Sequence, residues 1–243
     1  MRFSILVLGT ALLVLGTCCS LAGAQGPQLQ TEIKKIVAPY LVAADFMGVV
    51  GVQQDGQAPL LLPFGSASIE LDVPHRQDGI FMIGSISKQF TAAAILLLEE
   101  QGALQTSDRL SQHIAGFPRG DEITLEQLLT HTSGVVDIYS LQSFGDTAGQ
   151  ATDFAAVIEE LGQRPLTFEP GEAYAYSNGG YSLLAAVIET ASGQDYGAYL
   201  HAHIFEPLGM QGSLMYDNYE EIIPRRATGY DRHDDGRVRM VHN

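Results

Sequence analysis

Lys88 stands apart from the other basic residues of this chain. There are three lysines, and the other two, Lys34 and Lys35, sit side by side on a segment that reads as a surface helix. Beyond that pair, every other positive side chain is an arginine. Lysine can surrender its proton when desolvated and arginine cannot. In the first turn of an apolar helix, burial and the positive end of the helix dipole both act against an ammonium. Ser85 lies three residues earlier on the same helical face, so its hydroxyl and the Lys88 amine fall within hydrogen-bond reach. A hydroxyl beside a base is the minimum for an activated nucleophile. A helix N-terminus adds a positive dipole next to the oxyanion that forms when a carbonyl is attacked. The same residues also allow a plainer reading, in which Ser85 only caps the helix, because S-x-x-K alone is a loose pattern.

A second group is Tyr176-Ser177-Asn178, between the turn Phe168-Glu169-Pro170-Gly171 and a helix. That placement predicts a loop able to project side chains into a cleft. A phenolate near a lysine can accept the serine proton and return it to a leaving group. An amide can hydrogen-bond both the lysine and a substrate carbonyl. Alternatively, Tyr176 packs in the core and Asn178 forms a turn.

Five elements occur in one order: Phe81-Met82-Ile83-Gly84-Ser85-Ile86-Ser87-Lys88, Leu128-Leu129-Thr130-His131-Thr132-Ser133-Gly134, Phe168-Glu169-Pro170-Gly171, Tyr176-Ser177-Asn178 and Ile204-Phe205-Glu206-Pro207-Leu208-Gly209-Met210. This series, over roughly residues 31–243, resembles the serine β-lactamase-like hydrolases of the class C type, with the penicillin-binding DD-peptidases and related esterases. The resemblance implies that Ser85 is the acylated nucleophile, that Lys88 keeps the proton network primed, and that Tyr176 serves as general base and then acid. Asn178 would position the substrate amide, and the Ser85 backbone N–H would supply half of the oxyanion hole. His131 and Ser133 fall in a loop that the resemblance marks as structural. Tyr-Ser-Asn in place of Ser-Asp-Asn points to the class C side, away from class A and its deacylating glutamate.

The family carries a third motif, Lys-Thr-Gly or a variant such as His-x-Gly, on a core strand well downstream of the tyrosine. Ala227-Thr228-Gly229 has no basic residue and follows Tyr176 too closely; it resembles the family's earlier Arg-x-Gly-Tyr stretch. The resemblance therefore predicts a domain whose C-terminal sheet strands are missing, leaving an open edge on the N-terminal hairpin and an uncovered apolar face.

The elements that must hold these residues can be read locally. Residues 31–44 carry Ile33, Ile36, Val37, Tyr40 and Leu41 at helical spacing, with Thr31 as N-cap. Residues 47–53 and 60–69 read as strands joined by a turn at Asp55-Gly56. A long helix opens at Ser85 and stops at Gly102; its apolar residues lie on almost every face, which predicts burial all round. Thr124-Leu125-Glu126-Gln127 is a capping box for a short helix ending near Thr130. Further helices are expected over 153–161, from about Gly180 to Ala191, and after an Asp195 cap up to Pro207 and Gly209. A hairpin with Asp235-Gly236 in its turn, and residues 238–241 as its second strand, closes the chain. The fold that the resemblance implies for these elements is α+β, β-lactamase/transpeptidase-like: an antiparallel sheet flanked by helices, with a helical subdomain and with C-terminal sheet strands missing.

At the N-terminus, Arg2, an apolar run over 3–15 and Ala22-Gly23-Ala24 have the layout of an export signal. Residues 1–24 are the expected leader and 25–243 the mature domain; a buried N-terminal helix is the other reading. Cys18 and Cys19 both lie in the leader, so the mature chain would have no thiol, and acylation of Cys18 is a further option. No later stretch is long and apolar enough to span a membrane. The 243 residues carry a net charge of −15, from 28 acidic and 13 basic side chains. Such a surface repels phosphate backbones and sets nucleic acid aside as a partner. His201-x-His203 and His233-Asp234-Asp235 make poor ligand sets, so neither a metal nor any other cofactor is expected. Arg119-Gly120-Asp121 reads as a surface turn. The expected function is an exported, periplasmic or secreted, serine hydrolase acting through an acyl-enzyme. Its substrate would be small or peptidoglycan-like: a β-lactam, a D-Ala-D-Ala-type peptide or a small ester. The competing readings are a non-catalytic cell-wall-binding or interaction protein of the same fold, and an inactive fragment.

Overall fold

A computed structural model describes residues 4–6, 27–140, 154–216, 221–233 and 235–240. The fold is α+β and divides into two compact units, residues 1–83 with 223–243, and residues 84–222.

The first unit holds the strands. β1 (Ser4–Leu6), β2 (Gly48–Gln53) and β3 (Leu60–Phe64) form an antiparallel sheet in that order, with Gly48 opposite Phe64 and Val52 opposite Leu60. α1 (Pro27–Val42) buries Ile33 and Val37, one turn apart, against Leu62 of β3. Ile36 and Tyr40, expected on the same face, are exposed. α1 also starts four residues before the predicted cap: Pro27 takes the first position, where no N–H is required, and Thr31 donates its hydroxyl to the Pro27 carbonyl at 2.6 Å. The predicted strand 60–69 is split at Gly65, and β4 (Ser66–Ser68) pairs instead with β5 (Val73–Pro74). β6 (Tyr230–Arg232) and β7 (Val238–Met240) form the closing hairpin; Val241 lies outside the described residues.

The edge of β2 expected to stand open is occupied by β1, with Ser4 opposite Gln53 and Leu6 opposite Gly51. β1 belongs to the stretch predicted as a leader. Cys18, Cys19 and the Ala22-Gly23-Ala24 site lie outside the described residues.

The second unit is helical. A 3₁₀ turn, Gly84–Ser87, leads into α2 (Lys88–Glu100). α2 buries Thr91, Ala94, Ile95 and Leu98, while Leu96 is 54% exposed, so its burial is one-sided rather than all-round. α3 (Leu125–Leu129) has the predicted capping box: Thr124 Oγ1 accepts the Gln127 N–H at 3.2 Å and Gln127 Oε1 accepts the Thr124 N–H at 2.9 Å. α4 (Phe154–Gly162) precedes α5 (Asn178–Ser192), which begins about two residues earlier than predicted, because Ser177 caps it by accepting the Gly180 N–H at 3.0 Å. α6 (Tyr196–Leu200) is capped by Asp195, as expected, and runs on as a π-helix, His201–Phe205, which nothing in the sequence announces. α5 is central: Leu183, Leu184, Val187 and Ile188 are fully buried, and the helix packs against α2, α3, α4 and α6. Each such side chain contributes about 1.5–3 kcal/mol of burial free energy. Among the described residues, no helix is long and apolar enough to cross a membrane.

Candidate active site

The four residues singled out by type and spacing all lie in the second unit and converge. The 3₁₀ turn places residues i and i+3 in line, one above the other, so Ser85 and Lys88 project together from the start of α2. Ser85 Oγ accepts a hydrogen bond from the Tyr176 hydroxyl at 2.8 Å, across 91 positions of sequence, and from Lys88 Nζ at 3.4 Å. Lys88 Nζ also donates to Asn178 Oδ1 at 2.6 Å and sits 4.8 Å from the centre of the Tyr176 ring. Ser85 does not cap the helix; the residue preceding α2 is Ser87, whose hydroxyl donates to the Gly84 carbonyl at 2.6 Å. Tyr176 is 42% exposed and not a core residue. Asn178 is the first residue of α5 rather than part of a loop, so a helix sets its direction.

The segment after α3 is built to hold Tyr176 and Asn178. α3 ends in a left-handed cap, with the His131 N–H on the Leu128 carbonyl (3.3 Å) and the Thr132 N–H on the Gln127 carbonyl (2.8 Å). The left-handed position is His131, with φ of +60°, where glycine or asparagine is the usual occupant. Its carbonyl accepts the Ala175 N–H at 3.0 Å and its Nδ1 accepts the Ser177 N–H at 3.1 Å, so one residue grips both neighbours of Tyr176. The imidazole lies 4.5 Å from the Tyr176 ring and 5.1 Å from that of Tyr181, centre to centre. Gly134, at φ of +77°, packs so tightly that a Cβ would sit 2.2 Å from the Phe168 carbonyl oxygen. Asp137 then reaches the start of α5, where its Oδ1 accepts both the backbone N–H (3.2 Å) and the side-chain Nδ2 (3.0 Å) of Asn178. Gly179 allows this approach: a Cβ there would lie 2.6 Å from the Val136 carbonyl oxygen.

The electrostatics favour a reactive phenol. Burial pushes the Tyr176 hydroxyl up, but hydrogen bonds with Lys88 and Ser85, and the positive charge of Lys88, outweigh it and bring Tyr176 below the ordinary phenol value; Asp137 offsets part of this. His131 is lowered, first by burial and then by Lys88, against a smaller upward pull from Asp137. Its ring is therefore neutral near pH 7, and with Nδ1 accepting, the proton resides on Nε2. Burial and the neighbouring Tyr176 raise Tyr181, whose hydroxyl donates to the Leu129 carbonyl at 3.0 Å. A hydroxyl nucleophile, an acidified phenol, an amine and an oriented amide are the parts needed for acyl transfer.

Three neighbours were not assigned to the site from the sequence. His131 was visible within Thr-His-Thr-Ser-Gly but read as structural. Asp137 and Tyr181 carry no local pattern; Asp137 meets Asn178 across 41 positions.

The model of the family described as Beta-lactamase matches residues 33–242. Penicillin-binding protein 4* of Bacillus subtilis (strain 168) is 34% identical over 187 residues, 76% of this chain and 41% of that protein. Teichoic acid D-alanine hydrolase of Staphylococcus aureus (strain MRSA252) is 27% identical over 183 residues, 75% of this chain and 44% of that one. The crystal structure of a penicillin-binding protein from Bacillus halodurans superposes with a TM-score of 0.76 at 28% identity, covering 86% of this chain and 63% of the other. The chain spans about half the length of the curated relatives it matches.

Proposed function

The chain belongs to the beta-lactamase family, and on that premise we propose that it is a serine hydrolase that works through an acyl-enzyme on Ser85. The observation that carries this reading is the meeting of the Tyr176 hydroxyl and the Lys88 amine on one Ser85 oxygen, at 2.8 and 3.4 Å. Tyr176, as phenolate, takes the Ser85 proton while Oγ attacks the substrate carbonyl carbon. The Ser85 backbone N–H faces the oxyanion that forms. Tyr176 then gives the proton to the departing amine or alkoxide, leaving acyl-Ser85. In the second half, Tyr176 takes a proton from water, the hydroxide attacks the ester, and Ser85 recovers its proton. The neutral Lys88 expected from the sequence is not required by this route: hydrogen bonds with Lys88 and Ser85, and then the charge of Lys88, lower Tyr176, and the base is the phenol. Asn178 anchors the amine and offers its amide to a substrate carbonyl.

The substrate is a β-lactam, a D-Ala-D-Ala-type peptide or a small ester, all of which share this route; relatives named for penicillin binding and for D-alanine hydrolysis support that range. The protein is exported, with residues 1–24 as its leader, so that secreted material begins at Gln25. Removing the leader also removes β1 from the edge of β2.

Incubation of the full chain with a fluorescent penicillin and with a fluorophosphonate should label the parent on Ser85. Ser85→Ala should abolish the label, and Tyr176→Phe should slow it by about 10²-fold or more, the usual cost of losing a general base. A parent that takes up neither probe, or a label that survives Ser85→Ala, overturns the reading.

A further inference from the structure

We infer that Asp137 is a positioning residue: its carboxylate fixes the Asn178 amide so that Oδ1, and not the NH₂ group, faces Lys88 and through it Ser85. This rests on the acyl-enzyme reading for its kinetic consequence but not for its geometry. The two ends of an amide are opposite in hydrogen-bonding character, and a half-turn about its last side-chain bond exchanges them. Lys88 offers only donors to Asn178, and an ionised carboxylate offers only acceptors. With the amide between them, one orientation makes two hydrogen bonds, Nδ2 to Asp137 at 3.0 Å and Lys88 to Oδ1 at 2.6 Å. The other sets donor against donor and acceptor against acceptor. Asp137 also binds the Asn178 backbone N–H at 3.2 Å, so it holds this residue at both ends and ties the amide to the first turn of α5.

Lys88 is the next link. Its 2.6 Å bond to Asn178 is shorter than its 3.4 Å contact with Ser85, so the amide, more than the serine, sets where the amine stands. A released amide would let Lys88 drift from both Ser85 and the Tyr176 ring. Displacements of about 1 Å in such a constellation cost on the order of 10²-fold in rate.

The charge of Asp137 has a separable effect. Lys88, His131, Tyr181 and Asp137 surround the Tyr176 phenol, and of these Asp137 raises it. Asp137→Asn keeps an oxygen that can accept both Asn178 donors but removes the charge. Asp137→Ala removes both.

The experiment uses the full chain and two readouts. Fluorophosphonate labelling should fall by about 10²-fold in Asp137→Ala and stay near the parental rate in Asp137→Asn, with the rise of rate with pH displaced to lower pH in the latter. Independently, lysine labelled with ¹³C at Cε gives signals from only three residues, with Lys88 assigned by its loss in Lys88→Arg. Asp137→Ala should move the Lys88 signal and leave those of Lys34 and Lys35 in place, while Asp137→Asn should return it to near its parental position. Parental labelling together with an unmoved Lys88 signal in Asp137→Ala overturns the inference, as does an Asp137→Asn that behaves like Asp137→Ala. Should the parent take no label, the acyl-enzyme reading falls, and the lysine spectrum alone still decides whether Asp137 sets the amine.

Discussion

Ser85 accepts from two donors, Tyr176 and Lys88, that also lie against each other, and the balance of their charges decides when Tyr176 can act. Burial alone would make Tyr176 a poorer acid than free tyrosine; Lys88 and the Ser85 hydrogen bond together reverse the sign. Acylation should therefore rise with pH through a limb that lies below that of a free phenol, and Tyr176→Phe should erase the limb rather than move it. A pH–rate profile of probe labelling measures this. Lys88→Arg keeps the positive charge but replaces a compact amine by a planar fork that does not fit the 2.6 Å contact with Asn178. His131 gives a different contrast. Its left-handed backbone would suit glycine, at a saving of about 1–2 kcal/mol, yet its ring and carbonyl bracket Tyr176. His131→Gly should leave the melting temperature close to the parent, the backbone relief offsetting the lost Nδ1 bond, while slowing acylation. Ser85, Lys88, Tyr176 and Asn178 were legible because nucleophile, base and amide are recognisable by type and spacing. Asp137 was not, since an aspartate after Val135-Val136 looks like any polar loop residue until α5 is brought against it.

Among the elements, the start of α5 is the most constrained. Gly179 faces the Val136 carbonyl and Leu161 Cδ2, where a Cβ would sit at 2.6 and 2.8 Å. Gly179→Ala has to push α5 off the segment that bears Asp137, and overpacking of this kind costs about 1–3 kcal/mol. A lower melting temperature, with labelling reduced beyond what the unfolded fraction explains, is the expected outcome; an unchanged melt would mean the segment yields freely. Helix starts set by short-range chemistry were legible: the Thr124 box and the Asp195 cap each close within three residues. Those set by distant contacts were not. Ser177 caps α5 with its hydroxyl while its own backbone N–H is held by His131, 46 positions away, and Asn178 stands on a helix and not in the expected loop. The π-turn after α6 buries the consecutive side chains Ile204 and Phe205, a demand of the core that no local pattern of the segment states.

At the scale of the whole molecule, a net charge of −15 opposes anionic ligands. Labelling by a carboxylate-bearing penicillin should accelerate as salt screens that field, and labelling by a neutral fluorophosphonate should not. Stopped-flow or gel time courses at low and high ionic strength separate the two; equal salt responses would mean that the approach to Ser85 does not feel the net charge. The hairpins and helices were legible one by one from spacing and the α+β class from the family resemblance, and the division into two units was not, because it depends on how the buried residues group into cores. Those faces are unequal. Among the described residues, the core of the helical unit contains 22 buried apolar side chains, and that of the strand-bearing unit Ile33, Val37 and Leu62. Backbone amides of β2 and β3 should then exchange with solvent ahead of those of α5. Ser85, Lys88, Tyr176 and Asn178 all belong to the unit with the larger core, so gentle warming ought to loosen the sheet while the serine, if it is the nucleophile proposed above, still captures its probe.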